Sequence, residues 1–247
     1  MPTSTPTTRV ALVTGGSGGI GAAVAQRLAT DGYAVAVHYA GNRAKADDLV
    51  AGITSTGGRA IAVGGDVADE VAMTAAFDEV ESTFGGLDVV VHTAGVMVLG
   101  PVADYGLDDF DRMVRTNLRG TFVVAQQATR RVRSGGAIVL FSTSVTRTQF
   151  PTYGPYVATK AAVEGLTLVL ARELRGKDVT VNTVAPGPTA TPLFLDGKDE
   201  QTVERLAQAV PLERLGQPVD IAETVAFLAG PARWVNGQTI FTNGGLA

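Results

Sequence analysis

Apolar residues in this chain gather in short runs that hardly alternate in polarity, each followed by a longer stretch with helical spacing. Runs at 10–13, 34–39, 60–64, 87–92, 137–141 and 179–184 read as strands buried on both faces, because a half-exposed strand would alternate apolar with polar positions. Amphipathic stretches at 20–31, 43–55, 70–84, 107–133 and 156–175 lie between them, and a last short strand is predicted at 238–242. Alternation of this kind calls for right-handed crossovers, so the pattern predicts an α/β fold: a single-domain, doubly wound parallel sheet with helices on both faces. No repeat and no linker divides the chain. One domain is expected over residues 9–247, behind a flexible tail at 1–8. The stretch 189–211 breaks the rhythm with a short helical segment where a tight turn would serve, and is expected to be a lid over a site.

Composition narrows the chemistry. At 247 residues with 45% apolar and 18% charged residues, the chain can bury a substantial core. A net charge of −4 without a basic block speaks against a nucleic-acid partner. There is no cysteine, hence no disulfide or thiolate, and the two histidines, His38 and His92, are too far apart in sequence for a dedicated zinc site. No apolar run approaches the ~20 residues that span a bilayer. The opening residues lack the apolar stretch of a signal peptide. The expectation is a cytoplasmic protein without membrane or nucleic-acid partners.

The turn between the first strand and first helix reads Gly15–Gly16–Ser17–Gly18–Gly19–Ile20–Gly21. In that context Gly15 permits a tight turn, Gly19 lets the backbone approach a pyrophosphate, and Gly21 allows close helix–strand packing. The helix N-terminus offers N–H groups and a favourable dipole to phosphate, which makes Ser17, Gly18 and Ile20 candidate contacts as well. The same glycines fit a nucleophile elbow around Ser17, but no histidine base follows His92. A nucleotide-triphosphatase loop needs Lys and then Ser or Thr where Ala22–Ala23 stand. The second strand runs out through His38–Tyr39–Ala40–Gly41–Asn42–Arg43 with no carboxylate. The repulsion toward a ribose 2′-phosphate is therefore missing, and Arg43, with Tyr39 and Asn42 beside it, can pair with that phosphate. NADP(H) is the preferred cofactor and NAD(H) the alternative. Asp66, after the third strand, can accept from the adenine amino group or cap a helix; both readings stand.

Tyr156 and Lys160 are four residues apart, on one face of a helix. A phenol with a reference pKa of ~10 is a poor acid–base group near neutral pH, and an adjacent ammonium together with a cationic nicotinamide should lower it. Tyr156 can then pass a proton to a carbonyl oxygen as hydride reaches the carbon. Ser142–Thr143–Ser144, at the end of a buried strand, offers hydroxyls to orient that carbonyl. Asn117 sits in an otherwise apolar helix, where it can hold a water that links Lys160 to solvent or simply make a packing bond.

The series Thr14–Gly15–x3–Gly19–Ile20–Gly21, Asp66–Val67, Thr93–Ala94–Gly95, Asn117, Tyr156–x3–Lys160 and Pro186–Gly187 resembles, in order and over residues 9–247, the signature motifs of the short-chain dehydrogenases/reductases. Within that family it is most similar to 3-oxoacyl-carrier-protein-reductase-like and naphthol-reductase-like members. The resemblance implies a Rossmann-type single domain, B-face hydride transfer and a homotetramer, or a homodimer, built through the helices carrying Asn117 and Tyr156. It also implies nicotinamide contacts from 186–191, with Thr189 and Thr191 near the carboxamide, and dinucleotide contacts from Asp66, Val67, Thr93, Ala94 and Gly95. The family's catalytic hydroxyl falls thirteen residues before the Tyr, which is Thr143; Ser144 is one position off, and both remain candidates. Two departures stand out: Gly18 occupies a position often held by Arg in NADP-dependent members, and His92–Thr93–Ala94–Gly95 replaces the usual Asn-x-Ala-Gly.

The function expected is an NADPH-dependent carbonyl reductase, reversible as an alcohol dehydrogenase, acting on a small molecule. The alternatives are an NAD-dependent dehydrogenase of a secondary alcohol or sugar, and a non-catalytic dinucleotide sensor. The expected pocket walls at 96–105, 145–153 and 193–210, with Phe150, Phe194 and Leu195, favour an apolar ketone over a free sugar. Arg130, Arg131 and Arg133 can greet an acidic carrier protein, but basic residues at a helix end are ordinary dipole partners.

Overall fold

The computed structural model describes residues 8–247, so all but the last residue of the expected tail lies outside the described residues. The first half of the chain runs β1 (Val10–Thr14), α1 (Gly19–Thr30), β2 (Ala34–Tyr39), α2 (Arg43–Ser55), β3 (Arg59–Gly64), α3 (Glu70–Phe84) and β4 (Leu87–His92). The second half runs α4 (Leu107–Met113), one stretch of π-helix (Val114–Arg119), α5 (Gly120–Arg131), β5 (Val132–Phe141), α6 (Val145–Thr148), α7 (Gly154–Glu173), β6 (Thr180–Pro186), α8 (Pro192–Leu195), α9 (Glu200–Gln208), α10 (Pro218–Ala229) and β7 (Thr239–Thr242). The strands form one seven-stranded sheet, every pair parallel, in the order β3-β2-β1-β4-β5-β6-β7.

Successive strand residues serve opposite layers. Leu12, Ala36, Val90 and Ile138 pack under Phe77 of α3, Val124 of α5 and Val163 of α7. Their neighbours Val13, Val37, Val91 and Val139 pack under Leu28 of α1, Ile53 of α2 and Val225 of α10. A sheet covered on both faces explains why the strands read as unbroken apolar runs. Chain order reverses between β1 and β4, which opens a crevice at the C-terminal ends of those strands, the usual ligand position in such sheets.

The structure departs from the expected elements in three places. The helix expected over 107–133 ends at Arg131 and is interrupted by the π-helical turn around Asn117. The strand expected from 137 begins at Val132 and bulges at the glycine pair: Leu87 pairs Val132, but Val89 pairs Ala137. Here Gly135 takes a φ of +81°, and a β-carbon on Gly136 would lie 2.4 Å from the Asp88 carbonyl oxygen. Arg133 therefore sits in a strand, chelating Asp88, and Arg131 pairs with Asp78 and Glu81. Both cations are engaged within the fold, which leaves little of the basic cluster for a carrier protein. Finally, α10 was not foreseen; it opens with Pro218 and a reciprocal Gln217–Asp220 cap.

Candidate active site

Two glycines of the turn meet the steric demands expected of them. Gly15 has a φ of +67°, and a β-carbon there would lie 2.8 Å from the Ala94 backbone nitrogen; one on Gly21 would lie 2.2 Å from the Gly15 carbonyl oxygen. These close approaches bring α1 down onto the ends of β1 and β4. Helix α1 starts at Gly19 with no side-chain cap from Gly18. Its first-turn N–H groups are left for a ligand, as a pyrophosphate site needs. Across the crevice, Thr93 donates from both N and Oγ1 to the Thr14 carbonyl, at 3.1 and 2.7 Å. Beside it, Thr14 Oγ1 and His92 Nδ1 lie 2.7 Å apart in a buried hydrogen bond.

Helix α7 carries Tyr156 and Lys160 inward, 8% and 5% exposed. Lys160 Nζ donates to the Phe141 carbonyl at 3.0 Å and lies 5.9 Å from the Tyr156 ring centroid. Burial lowers the Lys160 pKa to about 8. Burial pushes the Tyr156 phenol upward, the neighbouring Tyr153 adds to the rise, and the Thr143 hydroxyl works against it. The expectation of a lowered phenol counted on the ammonium and a cationic nicotinamide together; within the protein alone desolvation is the largest influence on Tyr156, and Lys160 is not among the groups that move it.

The two hydroxyl candidates are now distinct. The Thr143 hydroxyl faces the Tyr156 phenol, whose pKa it lowers; its Oγ1 accepts from Val145 N at 3.3 Å, and no hydrogen bond formed among the described residues uses its own proton. Ser144 turns away and donates to the Ala185 carbonyl of β6 at 3.2 Å. Asn117 is fully buried. Its Oδ1 accepts from Val96 N at 2.8 Å, while Nδ2 donates to Val96 O at 2.8 Å and to Thr159 Oγ1 at 3.2 Å. The amide thus ties the loop after β4 to α7. A β-carbon on Gly95 would lie 3.3 Å from Asn117 Oδ1 and 3.4 Å from Lys160 Nζ, so this glycine keeps the floor open between them.

Other candidates are placed less simply. Asp66 accepts from Ala68 N at 2.9 Å and pairs with Arg115, a partner the sequence did not suggest. Helix α3 is capped instead by Asp69, which removes the capping role considered for Asp66. The Val67 side chain is core, against Gly120, so only its backbone can meet a ligand. Asn42 caps α2 by accepting from Lys45 N at 3.1 Å. Exposed Arg43 leans on Asp47 at 3.3 Å, and the Tyr39 ring covers Gly64. Past β6, Thr189 Oγ1 donates to the Gly187 carbonyl at 2.9 Å, and Thr191 caps α8 through Phe194 N.

Tyr156, Lys160, Thr143, Gly95, Ile20, Gly187, Thr189 and Thr191 all open onto one cleft of about 880 Å³, part of it in contact with solvent. Its outer wall is apolar: Met97, Val145, Phe150, Phe194 and Leu206. Phe150, Tyr153 and Tyr156 form an edge-to-face series with centroids 6.2 and 6.5 Å apart. Leu195, expected in this wall, is not part of it. Leu246, close to the end of the chain, was missed, because no local pattern signals a contact some ninety residues from the Tyr–Lys pair. Among the described residues no cluster of His, Asp or Glu can hold a metal, and no helix is long and apolar enough to cross a membrane.

Comparison with known proteins places the chain in a family. Residues 15–247 match the family model described as enoyl-(acyl carrier protein) reductase. A short-chain type dehydrogenase/reductase from Picea abies is 41% identical, covering 96% of this chain and 92% of its own length. A 3-oxoacyl-[acyl-carrier-protein] reductase from Staphylococcus aureus is 42% identical over 97% of this chain and 98% of its own. The crystal structure of a short-chain dehydrogenase from Burkholderia cenocepacia in complex with NADP superimposes with a TM-score of 0.91 at 40% identity, covering 98% of this chain and 99% of the other. The chain belongs to the short-chain dehydrogenase/reductase family of oxidoreductases.

Proposed function

We propose that this oxidoreductase is an NADPH-dependent carbonyl reductase, reversible as an alcohol dehydrogenase, whose general acid is Tyr156. The observation that carries the reading is the convergence of Tyr156, Lys160 and the free Thr143 hydroxyl on an apolar cleft that begins at the uncapped glycine turn. That turn suits a pyrophosphate: Gly15 and Gly21 leave no room for β-carbons, while Gly18 has nothing within 4 Å of where one would stand. The NADP complex of the Burkholderia relative supports the same nucleotide here, and Arg43, exposed and held only by Asp47, is its 2′-phosphate partner. Asp66, Thr93, Ala94, Gly95, Pro186, Gly187, Thr189 and Thr191 line the remainder of the nucleotide path.

The nucleotide, when bound, supplies a hydride to the carbonyl carbon. Tyr156 gives its proton to the carbonyl oxygen; a phenol kept protonated by burial is in the form that reduction requires. Thr143 donates its uncommitted proton to the same oxygen and steadies the charge growing there. Lys160, still largely charged at neutral pH, holds a ribose hydroxyl and favours the phenolate left behind. Asn117 fixes the floor, with a second lone pair on Oδ1 left for a water. The wall of Met97, Phe150 and Phe194, without a carboxylate or guanidinium, suits an apolar or aromatic ketone.

The segment 189–211 serves as a lid. Its α8 and α9 bring Leu193, Phe194 and Leu206 over the cleft, and its base is pinned where Ala190 N donates to Gly216 O and Gly216 N to Pro188 O, each at 2.8 Å. The test is steady-state oxidation of NADPH and NADH with aryl ketones, diketones and β-ketoesters, on wild type and Tyr156→Phe. Turnover should fall about 10²–10⁴-fold in the variant, with NADPH binding unchanged. Undiminished turnover would remove Tyr156 from the mechanism. Tight binding by an inert wild type would favour the sensor.

A further inference from the structure

We infer that Glu164 is a positioning residue for the reduction: its carboxylate clamps the turn after β5 so that Thr143, and neither Ser142 nor Ser144, presents its hydroxyl to Tyr156. The inference rests on the carbonyl-reductase reading above.

Glu164 lies one helical turn past Lys160 and two past Tyr156 on α7, so the three share a helix face. At (i, i+4) to Lys160 its ordinary partner would be that ammonium. Lys160 Nζ instead donates to the Phe141 carbonyl, and Glu164 is spent on the hydroxyl turn. Its Oε1 accepts from Ser142 Oγ at 2.6 Å and from Thr146 Oγ1 at 2.8 Å. Those two residues bracket Thr143 and Ser144. A carboxylate oxygen can take both donors at once, and such charge-assisted bonds are the stronger kind.

The consequence is a sorting of hydroxyls. Ser142 also lies 3.3 Å from the Lys160 carbonyl, but its single proton goes to the carboxylate at the shorter distance. Thr146 Oγ1 has one proton for two acceptors, the carboxylate at 2.8 Å and the Thr143 carbonyl at 2.9 Å, so it reaches the backbone of the working residue only as a bifurcated donor. Ser144 is fastened to β6. Of Ser142, Thr143, Ser144 and Thr146, Thr143 alone makes no donated bond in the fold and keeps its proton for the substrate. The helix that carries the acid thus also sets the geometry of the turn that carries the oxyanion donor, and reaction rate depends steeply on such alignment.

Single-turnover and steady-state kinetics of wild type, Glu164→Ala, Glu164→Gln and Thr146→Val test this with NADPH and one turned-over ketone. Glu164→Ala should lower kcat about ten-fold or more with the KM for NADPH within about two-fold. Glu164→Gln, whose amide oxygen can accept both hydroxyls, should recover most of that loss, and Thr146→Val should fall between. If Glu164→Ala keeps wild-type kcat, if Glu164→Gln is as impaired as Glu164→Ala, or if KM for NADPH rises in step with the loss, the inference is overturned while the reductase reading survives. Should Glu164→Ala not fold, Thr146→Val decides: an unchanged kcat overturns the clamp. A wild type without turnover would overturn both.

Discussion

At the scale of single residues, burial rather than charge pairing sets the titration of this site. Tyr156 rises and Lys160 falls because both are withdrawn from water, and the histidines follow the same rule. His38 is lowered to about 4 by burial, and His92 to about 3 by burial and then by Lys160 and His38. A histidine with a depressed folded pKa stays neutral in the native state but protonates in the unfolded chain below about 6.5. The stability it confers is therefore complete above that pH and is lost as pH falls toward the folded pKa. For His38 the span corresponds to roughly 3 kcal/mol. Thermal unfolding from pH 7 to pH 4 should show a falling Tm, and His92→Asn, which can keep the bond to Thr14 without a titrating ring, should flatten the slope. Arg43 is a simpler case: exposed and loosely paired, it should matter only to the extra phosphate. Arg43→Ala should raise the KM for NADPH about ten-fold and leave that for NADH unchanged; equal effects on both would dismiss it as the phosphate reader. Residue identities such as Tyr156, Lys160 and Gly21 were legible because their chemistry or their smallness is unusual. Between Thr143 and Ser144 the spacing leaned to Thr143 without excluding Ser144, because which hydroxyl faces the phenol depends on how a turn folds.

At the scale of elements, the strand–glycine–helix unit was readable because it is local, and its glycines are unequal in a testable way. Gly21→Ala would set a β-carbon 2.2 Å from the Gly15 carbonyl, a backbone atom that cannot swing aside. Overpacking of this kind costs about 1–3 kcal/mol, so Tm should drop by about 5 °C with weaker NADPH binding. Gly18 is exposed in open space, so Gly18→Arg should leave Tm nearly unchanged and lower the KM for NADPH; a destabilised variant would mean the turn is less open than its geometry. The helix expected over 107–133 shows the opposite situation. Its apolar spacing runs on regardless of the π-helical turn, which is stabilised by tertiary bonds: Asn117 to Val96 and Thr159, and Arg119 Nε to the Ala68 carbonyl at 3.0 Å. Such turns often mark functional positions, but nothing in the local pattern discloses them.

At the scale of the whole molecule, two sets of apolar side chains have no cover within one chain. Phe122 on α5 and Leu168 and Val169 on α7 are 42–55% exposed, and Val219 and Phe227 on α10 lie near the edge strand β7 with Trp234 wholly exposed. These surfaces are candidate contact faces for the homotetramer, or homodimer, that the resemblance implies; the first set lies on the helices α5 and α7. Sedimentation should give four times the chain mass, and Phe122→Glu should reduce it to two. A wild-type monomer would refute the assembly. Trp234 is the chain's one tryptophan, so its emission should shift to shorter wavelength as the second surface closes.

The sequence by itself determined the parallel sheet with helices on both faces, the glycine turn between its first strand and helix, and the Tyr–Lys pair, because each rests on period, residue chemistry or spacing within one or two turns of chain. Tertiary structure alone decided which hydroxyl faces the phenol, that burial pushes the phenol of the protein alone upward, that Asp66 answers to Arg115, and that Leu246 lines the cleft. Those outcomes depend on burial and on contacts between residues far apart in the chain, quantities that exist only once the chain has folded.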